Sequence, residues 1–228
     1  MVLSNMKQKV LITGASSGIG KALAEKYLAN GYQVYGTNRS GNIKDLEHDN
    51  LVVFKLDLEK QEDINNLAQM FEDRNLDIDL LINNAGIGPD LGFDKPEASS
   101  FHQTFAVNTV GTTFFTEAML PHLSEGAKVI LISSKMGSIT SCVRSGSIAY
   151  CMSKSALNMY SKLLTNRLEG EHKVATIHPG WVRTNISPGS DQAPLSPAES
   201  AEGIYDFVEG DFESGAFWDV EAQQFCEW

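Results

Sequence analysis

The sequence is poor in the residues that build covalent or metal-bound frameworks. It contains only three cysteines, Cys142, Cys151 and Cys226, and five scattered histidines among 228 residues. A small, odd number of cysteines without metal-ligand spacing argues against a disulfide-stabilised secreted fold and fits a reducing compartment. No two histidines have the local spacing of a zinc site. The sequence therefore predicts a cytoplasmic protein without a bound metal.

Long apolar runs and excess positive charge are also missing. No stretch approaches the roughly 18 apolar residues of a membrane-spanning helix, and the first ten residues lack the apolar core of a secretory signal. The formal net charge is -11, whereas nucleic acids and anionic membranes attract Lys and Arg. After Arg183 there is no Lys or Arg, while ten Asp or Glu follow. We expect no nucleic-acid or membrane partner.

What the sequence does contain is a regular alternation of short apolar runs and amphipathic segments of helical length. The alternation extends from "KVLITG" at residues 9–14 to "GAFWDV" at residues 215–220, with no low-complexity linker and no repeat. It predicts a single α/β domain over residues 1–228, in which about seven strands form a doubly wound parallel sheet with helices on both faces. Ligands of such sheets bind beyond the carboxyl ends of the strands.

A glycine-rich turn, "TGASSGIG" from Thr13 to Gly20, lies between the first predicted strand and the first predicted helix. Glycines there allow the backbone to turn tightly and to approach a pyrophosphate, which binds to free N–H groups at the positive end of the helix. The turn therefore indicates a dinucleotide site, although glycine also simply closes turns.

Tyr150 and Lys154, in "AYCMSK", are four positions apart and so lie on one face of a predicted helix. Together with "TGASSGIG" and "NNAG" at Asn83–Gly86, the segment "YCMSK" resembles the short-chain dehydrogenase/reductase family over essentially the whole chain. The resemblance implies a Rossmann fold with strand order 3-2-1-4-5-6-7, a cofactor half at about 1–125 and a catalytic half at about 126–228. It also implies a nicotinamide-dependent oxidoreductase that forms a homodimer or homotetramer. "SSKMGSI" and the short C-terminal region further resemble the C-factor-type carbonyl reductases.

The resemblance implies four catalytic residues. Tyr150 is the expected proton donor to a carbonyl oxygen, and Lys154 is expected to lower the pKa of the phenol and to hold the nicotinamide ribose. Ser134 would hydrogen-bond the substrate oxygen, but it precedes Tyr150 by 16 positions, more than is usual in the family, so Ser133 and Ser138 stay open. Asn108, in "FAVNTVG", resembles the asparagine that supports a proton path to the lysine.

The cofactor is expected to be NADP(H) rather than NAD(H). Asn38 and Arg39 end the second predicted strand, where NAD enzymes generally carry an acid and where an arginine can bind the additional phosphate. The full set of expected cofactor contacts is Gly14, Ser16, Ser17, Gly18, Ile19, Gly20, Asn38, Arg39, Asp57, Leu58, Asn83, Ala85, Gly86, Tyr150, Lys154, Pro179, Gly180, Val182 and Thr184.

The substrate site is the least defined part of the sequence. Phe93, Met136, Val143 and Trp181 are candidate apolar liners, which suggests an uncharged carbonyl compound. The Gly- and Pro-containing segment 185–197 has the composition of either a mobile lid or a surface connection. The sequence thus predicts NADPH-dependent reduction of an aldehyde or ketone. The alternative is a regulatory or signalling protein that binds a dinucleotide and has little turnover.

Overall fold

The computed structural model describes residues 7–187 and 189–228 of the chain. Within them, eight strands form one sheet in the order β3-β2-β1-β4-β5-β6-β7-β8, in which only the β7–β8 pair is antiparallel. The strands are β1 (Lys9–Thr13), β2 (Gln33–Asn38), β3 (Leu51–Lys55), β4 (Ile78–Asn83), β5 (Leu123–Ile132), β6 (Lys173–His178), β7 (Ala216–Asp219) and β8 (Gln224–Phe225).

Six α-helices connect these strands within the described ranges. They are α1 (Gly18–Ala29), α2 (Gln61–Asp73), α3 (Ala98–Phe105), α4 (Thr112–Met119), α5 (Ile148–Arg167) and α6 (Pro197–Glu209). A π-helical segment (Ala106–Gly111) joins α3 to α4, and short 3-10 turns cover Leu120–His122, Lys135–Gly137 and Ser190–Gln192.

Hydrophobic layers cover both faces of the sheet. On one face, α1 and α6 pack against each other and bury Tyr27 and Ile204 against β1 and β6. On the other face, α2, α4 and α5 bury Phe71, Phe115 and Leu157 against the same strands. Because central parallel strands are covered on both sides, they consist of continuous apolar runs rather than of alternating residues.

The expectation of a doubly wound parallel sheet with helices on both faces is confirmed, with two differences in detail. The eighth strand was not expected: Asp219 Oδ1 accepts hydrogen bonds from Glu221 N and Ala222 N at 2.9 and 3.0 Å, and the turn that it holds returns two residues antiparallel to β7. The second difference is that the π-helical segment interrupts the helical stretch between β4 and β5. Such segments occur frequently at functional sites.

The strand order reverses at β1, which lies between β2 and β4. Helices that follow strands on opposite sides of this point diverge, and the crevice between them is the usual ligand site of open α/β sheets. In the part of the chain that the structure describes, no helix is both long enough and apolar enough to cross a bilayer.

Candidate active site

The turn between β1 and α1 is built from backbone rather than from side chains. Gly14 and Gly18 adopt left-handed conformations, with φ of 69° and 53°. Residues other than glycine rarely adopt this conformation. A Cβ atom on Gly20 would lie 2.3 Å from Gly14 O, so this position also requires glycine. No side chain caps the first turn of α1. Its N–H groups are therefore free to bind an anion.

A cleft of about 710 Å³ opens above this turn and crosses the point where the strand order reverses. It contains most of the expected cofactor contacts, namely Gly14, Ser16, Ser17, Gly18, Ile19, Gly20, Asn38, Arg39, Asp57, Leu58, Ala85, Gly86 and Thr184. Residues that the sequence had not singled out also line it, among them Thr37, Asn84, Ile87 and Arg183. The lining residues come from the ends of several neighbouring strands, and a cleft that extends across them suits a dinucleotide better than a compact ligand.

Of the two asparagines in "NNAG", Asn84 lines the cleft and Asn83 does not. Asn83 is buried at the end of β4, and neither polar atom of its amide has a hydrogen-bond partner within the described residues. Asn84 donates from Nδ2 to Thr13 O at 2.8 Å, and its backbone N donates to Thr13 Oγ1 at 3.0 Å. Asn84 thus ties β4 to the glycine-rich turn. The sequence assigned Asn83 to the cofactor site and passed over Asn84, whereas in the structure Asn84 lines the cleft and Asn83 does not.

Asn38 organises the turn that follows β2. Its Oδ1 accepts hydrogen bonds from Ser40 N and Gly41 N at 2.9 and 2.8 Å, and Nδ2 donates to Asn42 O at 2.9 Å. Both polar atoms of the Asn38 side chain are thus engaged in hydrogen bonds within the turn. The Arg39 side chain is exposed and lines the cleft. Arg39 is therefore the residue of this pair that is free to bind a ligand.

Three expected contacts near the end of β6, Pro179, Gly180 and Val182, lie outside the lining of the cleft. Pro179 O accepts a hydrogen bond from Ser200 Oγ at 2.7 Å, and Val182 forms an isolated bridge with Leu195. Thr184 reaches the cleft, where Thr184 Cγ2 would lie 3.3 Å from a Cβ on Gly18. In this structure the three residues lie near Thr184 in the chain, and of these four only Thr184 lines the cleft.

Tyr150 lies in the first turn of α5 and is 7% exposed. Its ring is directly behind the wall of the cleft, because a Cβ on Gly88 would lie 3.2 Å from Tyr150 Cδ2. Burial raises the pKa of the phenol to about 12, while the neighbouring Ser134 hydroxyl opposes that shift. The pKa of Tyr150 is thus raised rather than lowered as expected, because removal of the phenol from water is the largest effect on it. The phenol is consequently protonated at neutral pH.

The three candidate serines have different surroundings. Ser134 Oγ accepts a hydrogen bond from Met136 N at 3.1 Å, which orients the hydroxyl at the start of the 3-10 turn beside Tyr150. Ser133 Oγ instead donates to Asn158 Oδ1 at 2.6 Å, and Ser138 Oγ accepts from Ser141 N at 3.0 Å. Ser134 is thus the serine that meets the tyrosine. The longer spacing is accommodated in the segment between the 3-10 turn and α5.

Lys154 lies one turn beyond Tyr150, with its ammonium 5.8 Å from the centre of the Tyr150 ring. It is 3% exposed, and Nζ donates to Ile132 O at 2.9 Å. Burial lowers the pKa of this ammonium to about 8. At neutral pH the group still carries its proton and presents a positive charge behind Gly86, where a Cβ would lie 3.5 Å from Nζ.

Asn108 lies within the π-helical segment and is fully buried. Its Oδ1 accepts from Ile87 N, and its Nδ2 donates to Ile87 O, both at 2.8 Å. The Nδ2 group also donates to Ser153 Oγ on α5 at 3.2 Å. Asn108 therefore clamps the backbone that follows "NNAG" to the helix that carries Tyr150 and Lys154.

The four residues predicted to line the substrate site do not surround a common cavity. Phe93, Val143 and Trp181 are exposed, Val143 almost completely, and all four residues, Met136 included, lie outside the linings of both described cavities. The main cleft instead continues into a second cavity of about 470 Å³ between Gly88–Pro89 and the segment from Thr184 to Asp191. Residue 188 is outside the described residues. The segment considered as a lid thus forms one wall of this space, and its side chains are mainly polar.

Comparisons with known proteins agree with this geometry. A family model described as short chain dehydrogenase matches residues 8–194. The chain belongs to the short-chain dehydrogenase family. The C-signal protein of Myxococcus xanthus is 35% identical over 153 residues, which cover 64% of this chain and 91% of that protein. Members of this family are oxidoreductases, and the chain is an NAD(P)-dependent oxidoreductase.

Solved structures of other short-chain dehydrogenases have the same fold over nearly the whole chain. The NADPH-bound carbonyl reductase from chicken fatty liver is 28% identical with a TM-score of 0.86, covering 97% of this chain and 99% of that one. The carbonyl reductase Sniffer of Drosophila melanogaster is 28% identical with a TM-score of 0.87, covering 97% of this chain and 100% of that one. The likeness to an NADPH-bound enzyme supports a nicotinamide dinucleotide as the cofactor of this chain.

Proposed function

We propose that this short-chain dehydrogenase reduces an aldehyde or ketone to the alcohol with NADPH, in a reversible hydride transfer. The observation that supports the proposal is the position of the Ser134 hydroxyl beside the buried Tyr150 phenol, with the Lys154 ammonium one helical turn away. None of the three lines the cleft itself, but Gly88 and Gly86, which do, lie against Tyr150 and Lys154. The lining of the same cleft includes the glycine-rich turn.

The residues of the cleft suit the cofactor. The backbone of Gly14–Gly20 and the uncapped first turn of α1 would hold the pyrophosphate. Asp57 and Leu58 would contact the adenine end, while Lys154 would hold the nicotinamide ribose. Gly86 lines the cleft and has no side chain, and a Cβ at this position would lie 3.5 Å from Lys154 Nζ. A ribose bound against Gly86 would therefore be within reach of the Lys154 ammonium. When bound, the nicotinamide supplies the hydride that the carbonyl carbon accepts.

The protein supplies the proton. Tyr150 transfers its phenolic proton to the carbonyl oxygen as negative charge develops there, and Ser134 donates a hydrogen bond to the same oxygen. The phenolate that remains is stabilised by the Lys154 ammonium. A phenol with a pKa of about 12 is in the form that donates a proton at neutral pH, which favours the direction of reduction.

NADPH is proposed as the preferred cofactor because Arg39 is the free cationic side chain at the end of β2. A guanidinium can bind the additional phosphate through two parallel hydrogen bonds. The chicken enzyme bound to NADPH and a dehydrogenase of Burkholderia multivorans with bound NADP, 26% identical to this chain, support the choice. Arg39→Ala should weaken NADPH binding by about tenfold or more and leave NADH binding unchanged. Tighter binding of NADH than of NADPH by the unaltered protein would contradict the preference.

The substrate is proposed to be a small, uncharged carbonyl compound that enters between Gly88–Pro89 and the segment after Thr184. The exposed carboxylate of Asp191 at this cavity disfavours an anionic substrate. Candidate compounds are best screened as a panel of aldehydes and ketones that differ in size and polarity.

The function is tested by the absorbance of NADPH in the presence of that panel. Tyr150→Phe should bind NADPH as the wild type does and lose at least about 100-fold in kcat, since general acid catalysis contributes that much. Tyr160→Phe, on the same helix but bonded to Glu117 away from the site, is the matched control and should retain turnover. Full activity of Tyr150→Phe would refute the assignment.

A second candidate function is a dinucleotide-binding protein with a signalling role and little turnover. The observation that favours it is the 35% identity to a protein named C-signal. The buried Tyr150–Lys154 pair argues against it, because a binding module has no need of a proton donor. NADPH binding without turnover of any compound in the panel would favour this candidate.

A further inference from the structure

The first turn of α5, which carries Tyr150, is capped by a residue from another part of the chain. Ser147 precedes the helix in a left-handed conformation, with φ of 57°, and its side chain makes no capping bond to the helix. Instead, Oδ2 of Asp90 accepts a hydrogen bond from Tyr150 N at 3.1 Å. This N–H is one of the amides that a helix cannot satisfy by itself.

Reciprocal hydrogen bonds join the start of α5 to the loop after β4: Asp90 of the loop bonds to the helix, and Ser147 before the helix bonds to the loop. The Ser147 hydroxyl accepts a hydrogen bond from Gly92 N at 3.0 Å, and Ser147 N donates to Phe93 O at 2.8 Å. A Cβ on Gly146 would lie 2.7 Å from Phe93 O, so the two segments are in direct contact. The Asp90 carboxylate completes this set of hydrogen bonds by accepting from the backbone N–H of Tyr150.

The burial of Asp90 lowers the stability of the folded protein, so stability does not explain why a carboxylate is present here. Asp90 is 1% exposed, and its Oδ1 atom has no hydrogen-bond partner within the described residues. A buried carboxylate oxygen that lacks a partner costs folding free energy, and such groups in native structures usually have a functional reason. The positive end of the α5 dipole and the Tyr150 amide are the features that favour a carboxylate here.

We propose that Asp90 is a positioning residue, which fixes Tyr150 through its backbone N–H so that the phenol meets Ser134 behind the wall of the cleft. The proposal rests on the proposed function, because the position matters for proton transfer to a substrate. Gly88 and Pro89, which directly precede Asp90 in this loop, line both cavities. Asp90 therefore connects the substrate side of the cleft to the proton donor.

The same carboxylate acts on the phenol electrostatically. Burial is the main reason that the pKa of Tyr150 is raised to about 12, and Ser134 opposes the shift. Asp90 adds to the shift, as does Cys151 where its thiol is ionised. The titratable groups around the phenol are thus Lys154, whose ammonium lies 5.8 Å from the ring centre, the adjacent Cys151 on the same helix, and Asp90 on the loop. Loss of the Asp90 charge should lower the pKa of Tyr150 without moving the ring.

Two variants separate position from charge. Asp90→Asn keeps an oxygen that can accept from Tyr150 N, whereas Asp90→Ala removes both acceptor and charge. We expect Asp90→Asn to keep kcat for reduction within about threefold of wild type and Asp90→Ala to lose about 10- to 100-fold, since misplacement of a reacting group has effects of that size. In the oxidation direction, the rise of kcat with pH should occur at lower pH in Asp90→Asn. Asp94→Asn, in the same loop but exposed, is the charge-matched control.

Hydrogen exchange supplies a readout that does not depend on turnover. Peptides covering residues 147–154 should lose protection in Asp90→Ala and keep it in Asp90→Asn and Asp94→Asn. Wild-type protection and wild-type kcat in Asp90→Ala would overturn the proposal, as would equal losses in Asp90→Asn and Asp90→Ala. If the wild type turns over no carbonyl compound, the proposed function fails, and the exchange experiment still decides whether Asp90 fixes this turn.

Discussion

The ammonium of Lys154 is buried behind Gly86, where its recorded partner is the neutral carbonyl of Ile132 at 2.9 Å. Burial lowers its pKa from 10.5 to about 8. Each unit of such a shift corresponds to about 1.4 kcal/mol, so the charged lysine costs the folded state about 3 kcal/mol at neutral pH. The position is occupied by lysine in spite of this cost, which is the pattern expected of a functional site.

Replacement of this lysine should therefore stabilise the protein while it removes activity. Lys154→Met fills a similar volume without a charge, and after loss of a hydrogen bond of about 1 kcal/mol the expected net gain is about 2 kcal/mol at pH 7. The gain should be complete below pH 8 and should disappear as pH approaches 10.5, because the wild-type lysine is neutral in the folded state above about 8.

Urea unfolding of both proteins at pH 7 and at pH 10 measures this difference, and NADPH oxidation measures the loss of turnover. Lys162→Met, an exposed position on the same helix, controls for the change in side chain and should leave stability within about 0.5 kcal/mol. A Lys154→Met variant that is less stable than the wild type at pH 7 would contradict the assigned cost of burial.

At the scale of elements, the 3-10 turn Lys135–Gly137 is held directly on α5. A Cβ on Gly137 would lie 2.7 Å from the carbonyl carbon of Lys154 and 2.8 Å from its Cβ. Ser155 Oγ, the next residue of the helix, donates to Gly137 O at 2.8 Å. This close approach sets the distance between the segment that carries Ser134 and the helix that carries Tyr150.

Gly137→Ala should push these two elements apart. Because the contacts are with backbone atoms, which cannot move aside, we expect a loss of about 1–3 kcal/mol in the free energy of unfolding and a decrease of about tenfold or more in kcat. Gly210→Ala, where a Cβ would meet nothing closer than 3.1 Å, is the control. Unfolding curves and kcat values equal to those of the wild type would show that the turn is not held in this way.

The elements that could be predicted from the sequence are those specified by local patterns. The apolar runs of β1 and β4, the glycine-rich turn and the Tyr150–Lys154 spacing each depend on neighbouring residues, and all were located correctly. The π-helical segment at Asn108 and the short strand β8 depend on contacts with distant segments. The periodicity of the sequence therefore gave no sign of them.

The same distinction applies to individual residues of the site. The sequence could not separate Asn83 from Asn84, because the direction of each side chain is set by the contact of β4 with Thr13. Asp90 was missed, since its partner Tyr150 is 60 positions away along the chain. The apolar liners were chosen by residue type, and exposed Val143 shows that type alone does not place a residue in a pocket.

At the scale of the whole molecule, an exposed apolar stripe runs along the π-helical segment, α4 and α5. It consists of Val110, Phe114, Met152, Met159 and Leu163, each at least half exposed. The π-helical segment and α4 both lie against α5, because Thr109 Oγ1 donates to Ser153 O and Tyr160 OH donates to Glu117 Oε1. Contiguous apolar surface of this kind is typical of an interface between protein chains.

We expect this stripe to be the contact between two copies of the chain, as the family resemblance implies a homodimer or homotetramer. The inner face of α5 carries Tyr150 and Lys154, so a partner on its outer face would also hold the catalytic helix in place. A symmetric dimer presents the same patch on both subunits. One charged substitution then places two like charges at the interface.

Phe114→Glu and Leu163→Glu should therefore each shift the protein towards a monomer of 25.0 kDa, measured by light scattering after size-exclusion chromatography at several concentrations. Val143→Glu changes an apolar residue that is 97% exposed and is not part of the stripe, and it should leave the mass unchanged. Because repulsion between buried like charges costs several kcal/mol, the dissociation constant should rise by at least about 100-fold. A wild type that is monomeric at all concentrations, or an assembly that persists in the Phe114→Glu, Leu163→Glu double variant, would show that the stripe is not the subunit contact.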